Sequence, residues 1–402
     1  MIYIVDMNIC IINIRENNPY IGGVERVSYL LGQYWINNGQ NVIFLSCYKS
    51  NIQKSYFTNC KELFLPDSKN IFSEENIAFS TEIMIKYNID VIINQGSVFK
   101  DLCKLCECIK LNTQVKLVTT IHYSLLCKFK AIKNNFFIKY RLGYNYTLWI
   151  KDFILWFRFL LYKQRNFLKS EIIEYNQIAQ CSDVLICLSE SYVKEYKSLI
   201  NPIYHHKLFA ITNPIELKDS INISKNKQIL YVGRLEFGMK RFDRLLKIWS
   251  KTEQLFPDWS LVVVGDGPYR QYFESIVNNL GLKRIFFEGF QNPEEYYLNS
   301  SIICLTSTTE GFGMVLIEAL QHKCIPIAYN SFGALSDIII DNVNGYSIPP
   351  FNEKIFVEKL HYLMSNADER ERLAANNAVT LDKFDINKVS QQWLDLFDNL
   401  LK

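Results

Sequence analysis

The sequence predicts an α/β protein with two parallel β-sheets, each covered by helices on both faces. Apolar runs of strand length alternate with amphipathic helical segments through most of the chain, which is the pattern of parallel sheets. These runs are too numerous for one sheet, and 402 residues are too many for one ordinary domain. Parallel sheets of this kind bind ligands at the carboxyl ends of their strands.

Hydrophobic periodicity predicts the individual elements. Helices are expected over Val24–Asn37, Phe242–Lys251 and Ile386–Leu401. A change to polar composition after residues 201–220 marks the domain boundary, so we predict a first domain over residues 1–207 and a second over 208–385. Strands are predicted at residues 1–5, 41–47, 90–94, 116–121, 184–188, 208–211, 228–232, 260–264, 285–287, 302–305 and 325–328.

The composition is that of a soluble globular protein, with 49% apolar residues, 21% charged residues and a net charge of +3. Such a small net charge gives no reason to expect nucleic acid as a partner. The 11 cysteines lack a disulfide framework, which indicates a reducing compartment. Cys103, Cys106 and Cys108 cluster, but without the second ligand pair of a zinc site, so we interpret them as buried thiols and predict no metal.

The amino terminus has no basic segment before its apolar run, which favours a first strand over a signal peptide. The sequence contains no uncharged apolar stretch of about 18 residues, so no membrane-spanning helix is predicted. We therefore expect a cytoplasmic protein, either free or peripheral on the cytoplasmic face of a membrane.

Residues 306–328 carry the strongest functional signal. An apolar strand is followed by Glu310, a Gly-rich turn and a helix that contains Glu318. This order directs a helix N-terminus, with its unpaired N–H groups, at an anion. Carboxylates beside a diphosphate would repel it, so they suit the hydroxyl groups of a sugar and a ribose instead. The turn consists of Gly311, Phe312 and Gly313.

The E-x7-E pattern, with EGFG and EAL inside it, resembles the retaining, nucleotide-sugar-dependent glycosyltransferases of the GT-B class, family 4. The resemblance covers nearly the whole chain and is strongest over residues 228–350. It implies two Rossmann-like domains whose parallel sheets face each other across a cleft, the first binding the acceptor and the second the nucleotide-sugar. It also implies that the helix at 386–402 packs back on the first domain.

Two departures from the family pattern stand close to these carboxylates. Ser307-Thr308-Thr309 occupies the place where many members have Pro-Ser. His322-Lys323 replaces the glycine that usually closes the following helix, and a non-glycine residue in a left-handed cap costs about 1 kcal/mol.

Further donor-binding residues are expected in the second domain. Arg234 and Lys240 follow a strand and can neutralise the charge that a departing diphosphate gains. The sequence GRL followed by KRFDRL resembles the phosphate-binding element of the family. The resemblance also implies that Gly265 adjoins the donor and that Phe290 and Gln291 hold the nucleobase through backbone groups. The glycines of LVVVGDGPYR lack the third glycine of a dinucleotide fingerprint.

In the first domain, Gly22 and Gly23 precede a helix, where glycines allow close approach of a ligand to the backbone. A simple turn is the alternative, but GGVERV resembles the loop that faces the donor phosphate and acceptor in the family. His122 follows a strand and so lies on the ligand side of its sheet. A packed histidine is the alternative, and the resemblance to a family histidine near the transferred sugar favours an active-site role.

Residues 128–169 form a basic and aromatic insertion of the first domain, with ten basic residues and one acid. Basic heads on aromatic and aliphatic bodies suit an anionic membrane surface. A pair of helices that pack their aromatic residues inward is the alternative, and nucleic acid is the least favoured. A lipid-linked acceptor would explain the position of this insertion.

The resemblance, together with these features, implies a retaining glycosyltransferase that moves a hexose-type sugar from a nucleotide diphosphate sugar to a glycan or lipid-linked acceptor. The composition is rich in Asn, Ile and Lys, which fits an AT-rich bacterial genome and favours surface polysaccharide or lipopolysaccharide synthesis. The sequence contains no D-x-D triplet, so neither a metal nor another cofactor is expected. A sugar-nucleotide epimerase and a non-catalytic sugar-nucleotide-binding partner subunit are the alternatives. Glu310 and His122 are the predicted catalytic residues.

Overall fold

A computed structural model of the chain describes residues 6–20, 22–49, 60–127, 154, 157, 164–218 and 224–402. The strand predicted at residues 1–5 and most of the basic and aromatic insertion at 128–169 lie outside the described residues.

The chain divides into two compact units. The first comprises Met1–His122, Glu171–Glu216 and Lys383–Lys402. The second comprises Tyr123–Ser170 and Leu217–Asp382. Each unit contains one parallel sheet, and below they are called the first and second domains.

The sheet of the first domain has the described strand order β3-β2-β1-β4-β5-β6-β7, and every described pairing is parallel. Its apolar core packs strands against helices through residues such as Ile12, Leu45, Ile92 and Leu105. The strands are β1 Asn8–Arg15, β2 Asn41–Tyr48, β3 Lys61–Phe64, β4 Val91–Asn94, β5 Lys116–Ile121, β6 Val184–Cys187 and β7 Leu208–Ala210.

The sheet of the second domain has the described order β10-β9-β8-β11-β12-β13 and is likewise parallel. Its core is rich in aromatic residues, and Tyr231 and Phe242 pack with ring centroids 4.7 Å apart. The strands are β8 Asn226–Val232, β9 Ser260–Val264, β10 Ile285–Gly289, β11 Ser300–Leu305, β12 Ile325–Tyr329 and β13 Tyr346–Ile348.

The strand orders define where each sheet can bind a ligand. In the first sheet the order reverses between β1 and β4, and in the second between β8 and β11. The loops after two such strands diverge to opposite faces and leave a crevice at the carboxyl edge of the sheet. The residues after β8 and β11 are those in which the sequence predicts the donor site.

Helices cover the sheets, and several begin at a side-chain cap. Ser73, Ser189, Asn352, Asn366 and Asp385 each accept a hydrogen bond from a backbone N–H in the first turn that follows. The described helices are α1 Gly23–Asn37, α2 Glu74–Lys86, α3 Lys100–Asn112, α4 Gln164–Cys181, α5 Glu190–Lys197, α6 Phe242–Ser250, α7 Arg270–Asn279, α8 Glu294–Asn299, α9 Met314–Gln321, α10 Leu335–Ile338, α11 Glu353–Ser365, α12 Ala367–Ala375, α13 Ala378–Leu381 and α14 Ile386–Leu401, with 3-10 turns at Pro202–Lys207 and Asp382–Phe384.

The carboxyl-terminal helix α14 packs against α1 within the first domain. Trp35 of α1 meets Trp393 and Phe397 of α14, with ring centroids 6.2 and 5.8 Å away. Such edge-to-face contacts are favourable beyond the apolar area that they bury. The chain enters α14 beside Ile215, whose N–H donates to the carbonyl of Phe384 at 2.8 Å.

The domain boundary lies later in the chain than the predicted residue 208. Leu208–Ala210 forms β7, which pairs with β6 of the first sheet through Leu208 and Leu185. The first domain therefore continues to Glu216, and it takes up the chain again at Lys383.

Two further findings bear on the environment of the chain. In the part of the chain that the structure describes, no helix combines the length and apolar character that crossing a bilayer requires. All 11 cysteines are free thiols, and burial raises the pKa of Cys103 to about 11.

Candidate active site

The loops that follow β8 and β11 are joined at the carboxyl edge of the second sheet. The N–H of Thr308 donates to the carbonyl of Met239 at 2.7 Å, and the Thr306 hydroxyl donates to the carbonyl of Arg241 at 3.1 Å. Because β8 and β11 are neighbours in the sheet, these bonds hold the basic loop against the loop that contains Glu310.

Lys240 and Glu310 form an ion pair within this junction. Lys240 Nζ lies 2.8 Å from both Oε1 and Oε2 of Glu310. The Ser307 hydroxyl donates to Glu310 Oε1 at 2.6 Å. The Glu310 side chain is 9% exposed and that of Lys240 is 23% exposed, so the pair is shielded from most of the solvent. A carboxylate held in this way has a defined orientation at the edge of the sheet.

Two arginines fix the backbone around the pair. Arg241 has a φ of +50°, and its guanidinium donates to both oxygens of Asp243 at 2.8 Å. Arg244 donates to the carbonyl of Thr306 at 3.1 Å, and its guanidinium lies 3.8 Å from the ring centroid of Phe351. These contacts hold the basic loop just after Lys240 and connect Arg244 to Thr306 on the other loop.

Arg234 differs from Lys240 in its surroundings. Its side chain is 67% exposed, and Nε lies 4.0 Å from Glu236 Oε2. Its backbone is anchored, because the Tyr231 hydroxyl donates to the Arg234 carbonyl at 3.1 Å. An anchored backbone with an exposed guanidinium is suited to meeting an anion that arrives from solvent.

Gly265 lies where two turns make close backbone contact. It has a φ of +134°, and a Cβ at this position would lie 2.1 Å from the carbonyl oxygen of Gly233. A Cβ on Gly267 would lie 2.4 Å from the carbonyl oxygen of Leu235. Both glycines therefore allow the turn after β9 to pack on the turn after β8, which is a structural need in addition to any contact with a donor.

Phe290 and Gln291 follow β10 on the same edge of the sheet. Phe290 is 68% exposed, and Gln291 is exposed as well. The preceding Gly289 accepts a hydrogen bond at 2.7 Å from the N–H of Gly265, so this turn adjoins the turn after β9. An exposed aromatic ring on an anchored turn offers a surface on which a planar group can stack.

The Gly-rich turn leads directly into α9. Gly313 precedes the helix with a φ of +91°, a left-handed conformation that favours glycine. Phe312 is buried, whereas Gly311 is half-buried. The first turn of α9 carries no acidic residue, so no carboxylate of that turn competes with an anion at this helix N-terminus.

Glu318 lies on α9, and it is 8% exposed. Its Oε2 accepts a hydrogen bond from the Tyr297 hydroxyl at 2.8 Å. Glu310 and Glu318 are thus two well-buried carboxylates on either side of the Gly-rich turn, and each accepts a hydrogen bond from a hydroxyl group of the second domain.

His122 directly follows β5 in the first domain and is 6% exposed. Its Nε2 lies 2.7 Å from Gln95 Oε1, and Gln95 follows the neighbouring strand β4. Because that oxygen can only accept, Nε2 carries the proton and Nδ1 is an acceptor. Burial lowers the pKa of His122 to about 4, so the imidazole is neutral near pH 7.

Gly22 and Gly23 form the start of α1, after β1. A Cβ on Gly22 would lie 2.5 Å from Glu25 Oε2, whereas a Cβ on Gly23 would meet no atom within 4 Å. Gly23 therefore has no steric need to be glycine within the described structure. An unoccupied space beside exposed backbone is what close approach of a ligand requires.

Sequence comparison shows that the chain is similar to known glycosyltransferases. The family model described as glycosyl transferases group 1 matches residues 214–379, which span most of the second domain. An uncharacterized glycosyltransferase of Haemophilus influenzae is 26% identical over 377 residues, covering 92% of this chain and 95% of that protein. The lipopolysaccharide 1,6-galactosyltransferase of Escherichia coli is 31% identical over 193 residues, 45% of this chain and 52% of that protein.

Comparison with solved structures agrees with the sequence comparison. Anabaena HepE, solved in complex with UDP, superposes with a TM-score of 0.73 at 15% identity, covering 98% of this chain and all of that one. The chain has the GT-B fold, as the sequence predicts. It is a glycosyltransferase of the hexosyltransferase type. Its match spans nearly the full length of the first relative above and about half the length of several others.

The structure brings together only some of the residues predicted for this glycosyltransferase. Within the second domain it pairs Lys240 with Glu310, and the Gly-rich turn separates Glu310 from Glu318. Arg234, Gly265, Phe290 and Gln291 lie on loops at the same sheet edge without a described side-chain contact to either carboxylate. Gly22 and Gly23, at the start of α1, and His122, after β5, lie in the first domain.

Three residues that hold these groups in place could not be predicted from the sequence. Ser307 donates to Glu310, Tyr297 donates to Glu318, and Gln95 bonds to His122. The sequence indicated Ser307 only as one of the residues that differ from the family pattern. Tyr297 and Gln95 gave no local signal, because each lies more than 20 residues from its partner in the chain.

Proposed function

We propose that this glycosyltransferase moves a hexose-type sugar from a nucleoside diphosphate donor to a glycan or lipid-linked acceptor, with retention of the anomeric configuration. The proposed setting is bacterial surface polysaccharide or lipopolysaccharide synthesis. The observation that carries the proposal is the pairing of Lys240 with Glu310 at the strand-order reversal of the second sheet, where this fold binds ligands.

The roles follow from charge and position. Arg234, Lys240 and the N–H groups at the start of α9 would stabilise the diphosphate as it departs, because its negative charge grows when the glycosidic bond breaks. Glu310 would accept hydrogen bonds from the sugar ring and Glu318 from the ribose. Phe290 and Gln291 would hold the nucleobase. In this scheme the positive charge comes from the protein, and no metal or other cofactor takes part.

The proposed reaction needs no protein nucleophile. The bond between the anomeric carbon and the diphosphate oxygen breaks while the acceptor hydroxyl forms its bond on the same face. The departing phosphate oxygen takes the acceptor proton. His122, neutral and with Nδ1 as an acceptor, would orient a hydroxyl group of the sugar or the acceptor, and Gly22 and Gly23 would let the backbone approach the ligand.

A lipid-linked acceptor would bring the enzyme to the cytoplasmic face of the inner membrane. The basic and aromatic composition of residues 128–169 supports binding to an anionic membrane surface, since each lysine or arginine near such a surface contributes about 1 kcal/mol. This part of the proposal rests on sequence composition, and vesicle binding tests it directly.

Two other functions remain as competing proposals. A sugar-nucleotide epimerase would need acid and base groups at the second carbon of the sugar, and it would convert the donor without an acceptor. A non-catalytic sugar-nucleotide-binding subunit would bind the donor and leave it intact. Slow hydrolysis of the donor in the absence of acceptor separates the transferase from the binding subunit, and an unchanged sugar separates it from the epimerase.

The first experiment is a thermal-shift panel of UDP, GDP, ADP, CMP and their sugar conjugates, with a chelator present. A ligand of the folded state raises the melting temperature as its concentration exceeds the dissociation constant. We expect one nucleoside diphosphate to do so without added metal. The absence of a shift with every compound would contradict the donor site.

The second experiment measures donor hydrolysis and transfer by four variants. We expect Arg234→Ala, Glu310→Gln and Glu318→Gln each to lower kcat/KM about 100-fold, because each removes a group that contacts the donor. Glu353→Gln is the matched control, since this carboxylate pairs with Lys247 on the surface of the same domain. Full activity in both carboxylate variants would refute the assignment.

A further inference from the structure

We infer that Tyr297 is a positioning residue that fixes Glu318 for recognition of the ribose hydroxyls. The inference rests on the proposed function, because it concerns the same donor site. It assigns the choice between a ribonucleotide and a deoxyribonucleotide donor to a residue that need not contact the donor at all.

The hydrogen bond between the two residues fixes the carboxylate. The Tyr297 hydroxyl donates to Glu318 Oε2 at 2.8 Å, and both side chains are more than nine-tenths buried. The Tyr297 hydroxyl constrains the plane of the group, and the two oxygens of a carboxylate have about four lone-pair sites with which they can accept further hydrogen bonds, including those of sugar hydroxyls. A carboxylate that is already ordered pays less side-chain entropy when a ligand binds.

Tyr297 itself is held from two sides. Its ring stacks on the imidazole of His322, with centroids 6.0 Å apart and an interplanar angle of 9°. Burial lowers the pKa of His322, so the stacked imidazole is neutral near pH 7 and adds no positive charge beside Glu318. The His322 ring thus limits how the phenol can rotate.

Lys225 ties the two helix ends together. Its Nζ donates to the carbonyls of Tyr297 and Leu298 at 2.7 Å and to that of His322 at 2.6 Å. One ammonium group therefore bonds the end of α8, which carries Tyr297, and the residue after α9, which carries Glu318. The relative position of donor and acceptor is fixed by the backbone as well as by the hydrogen bond.

A positioning role for Tyr297 predicts a specific effect of its substitution on ligand binding. Substituting phenylalanine keeps the ring that stacks on His322 and removes only the hydroxyl. Glu318 then loses a fixed orientation, so binding that depends on ribose hydroxyls weakens, whereas binding through the diphosphate does not. A merely structural role would weaken both kinds of ligand equally.

The experiment measures dissociation constants of the full chain for UDP, GDP and ADP and for their 2′-deoxy and 3′-deoxy counterparts. For the nucleotide that binds, we expect the wild type to prefer the ribose form over at least one deoxy form by about tenfold, the size of one hydrogen bond to a charged group. In Tyr297→Phe this preference falls below about threefold, mainly because the ribose form binds less tightly.

Tyr296→Phe is the matched control, because it removes the same atom from the adjacent residue, whose hydroxyl donates to Glu288. We expect Tyr296→Phe to keep the wild-type preference for the ribose form over the deoxy form. A Tyr297→Phe protein that melts like the control and keeps the full preference overturns the inference, as does a wild type without preference. If no nucleotide binds the wild type, the proposed function fails first, and the inference fails with it.

Discussion

Lys240 Nζ lies 2.8 Å from both carboxylate oxygens of Glu310, so the cation proposed for the donor diphosphate neutralises the carboxylate proposed for the donor sugar. Each group compensates the charge of the other in a largely buried position, where an uncompensated charge is costly. A bound diphosphate would take over part of the Lys240 pairing and leave Glu310 available to sugar hydroxyls. The pair therefore keeps the donor site stable before the donor arrives.

Removing one member of this pair should cost more than removing both. Lys240→Met leaves the Glu310 carboxylate without its cation, and we expect a loss of about 2–3 kcal/mol in the free energy of unfolding. The double variant Lys240→Met/Glu310→Gln should recover at least half of that loss, because the buried charge is gone as well. Urea denaturation followed by tryptophan fluorescence measures both.

A surface ion pair in the same domain is the control for the Lys240 and Glu310 substitutions. Lys227 pairs with Asp258, and both side chains are more than half exposed, so Lys227→Met should change the stability little. Strictly additive effects of the Lys240 and Glu310 substitutions would show that the two groups are not coupled.

Substitution of Gly23 distinguishes a structural role of this glycine from a role in ligand binding. A Cβ at this position meets no atom within 4 Å, and it would lie in the first turn of α1, so Gly23→Ala should raise stability by about 0.5 kcal/mol. If the glycine serves ligand approach, the same methyl group should lower transfer activity about tenfold or more through steric exclusion. Melting temperature and initial rate are measured on the same preparation.

Gly281→Ala should give the opposite result. Its Cβ also meets open space, but its φ of +66° strains any other residue, so stability should fall by about 1 kcal/mol while the activity of the folded protein persists. A Gly23→Ala enzyme with full activity would assign Gly23 to the turn alone.

The sequence predicted most of the central strands and the order of strand, Gly-rich turn and helix around β11 and α9, because apolar runs and Gly-rich turns are local signals. It missed β1 at Asn8–Arg15, which follows the predicted run at residues 1–5, and it missed β3 and β13, which have four and three residues and are too short to show a period. It could not place β8 beside β11, since that neighbourhood depends on strand order. The Lys240–Glu310 pair spans 70 residues of sequence, and no local pattern records such a contact.

The buried His122 predicts a loss of stability in acid. Its pKa is about 4 in the folded protein and about 6.5 when unfolded, so the unfolded state binds more protons between these values. Stability is therefore fully present above pH 6.5 and falls as the pH drops towards 4. From pH 7 to pH 5 this one residue should cost about 2 kcal/mol.

Comparison with a variant isolates this contribution from other titrating groups. His122→Gln removes the group, so its free energy of unfolding should fall by about 2 kcal/mol less than that of the wild type between pH 7 and pH 5. His206→Gln changes an exposed histidine and should follow the wild-type curve. Parallel curves for wild type and His122→Gln would mean that His122 is accessible to protons in the folded state.

The end of α9 offers a stabilising substitution. The sequence predicts strain where His322-Lys323 replaces a glycine. In the structure the left-handed residue is Lys323, which has a φ of +57°, whereas His322 has a φ of −97°. A left-handed non-glycine residue costs about 1 kcal/mol, so Lys323→Gly should raise the free energy of unfolding by about 0.5–1 kcal/mol. In a domain of this size, that corresponds to an increase of about 1–4 °C in the melting temperature of the second-domain transition.

Lys323→Ala is the control for the lost charge, because alanine keeps the Cβ that causes the strain. The Lys323 N–H donates to the carbonyl of Leu320 at 3.0 Å in either variant, so the hydrogen bonds that close the helix are retained. We expect Lys323→Ala to melt close to the wild type and Lys323→Gly to melt above both. Equal melting temperatures for the two variants would assign any gain to the removal of a positive charge near Lys225 and not to relief of backbone strain.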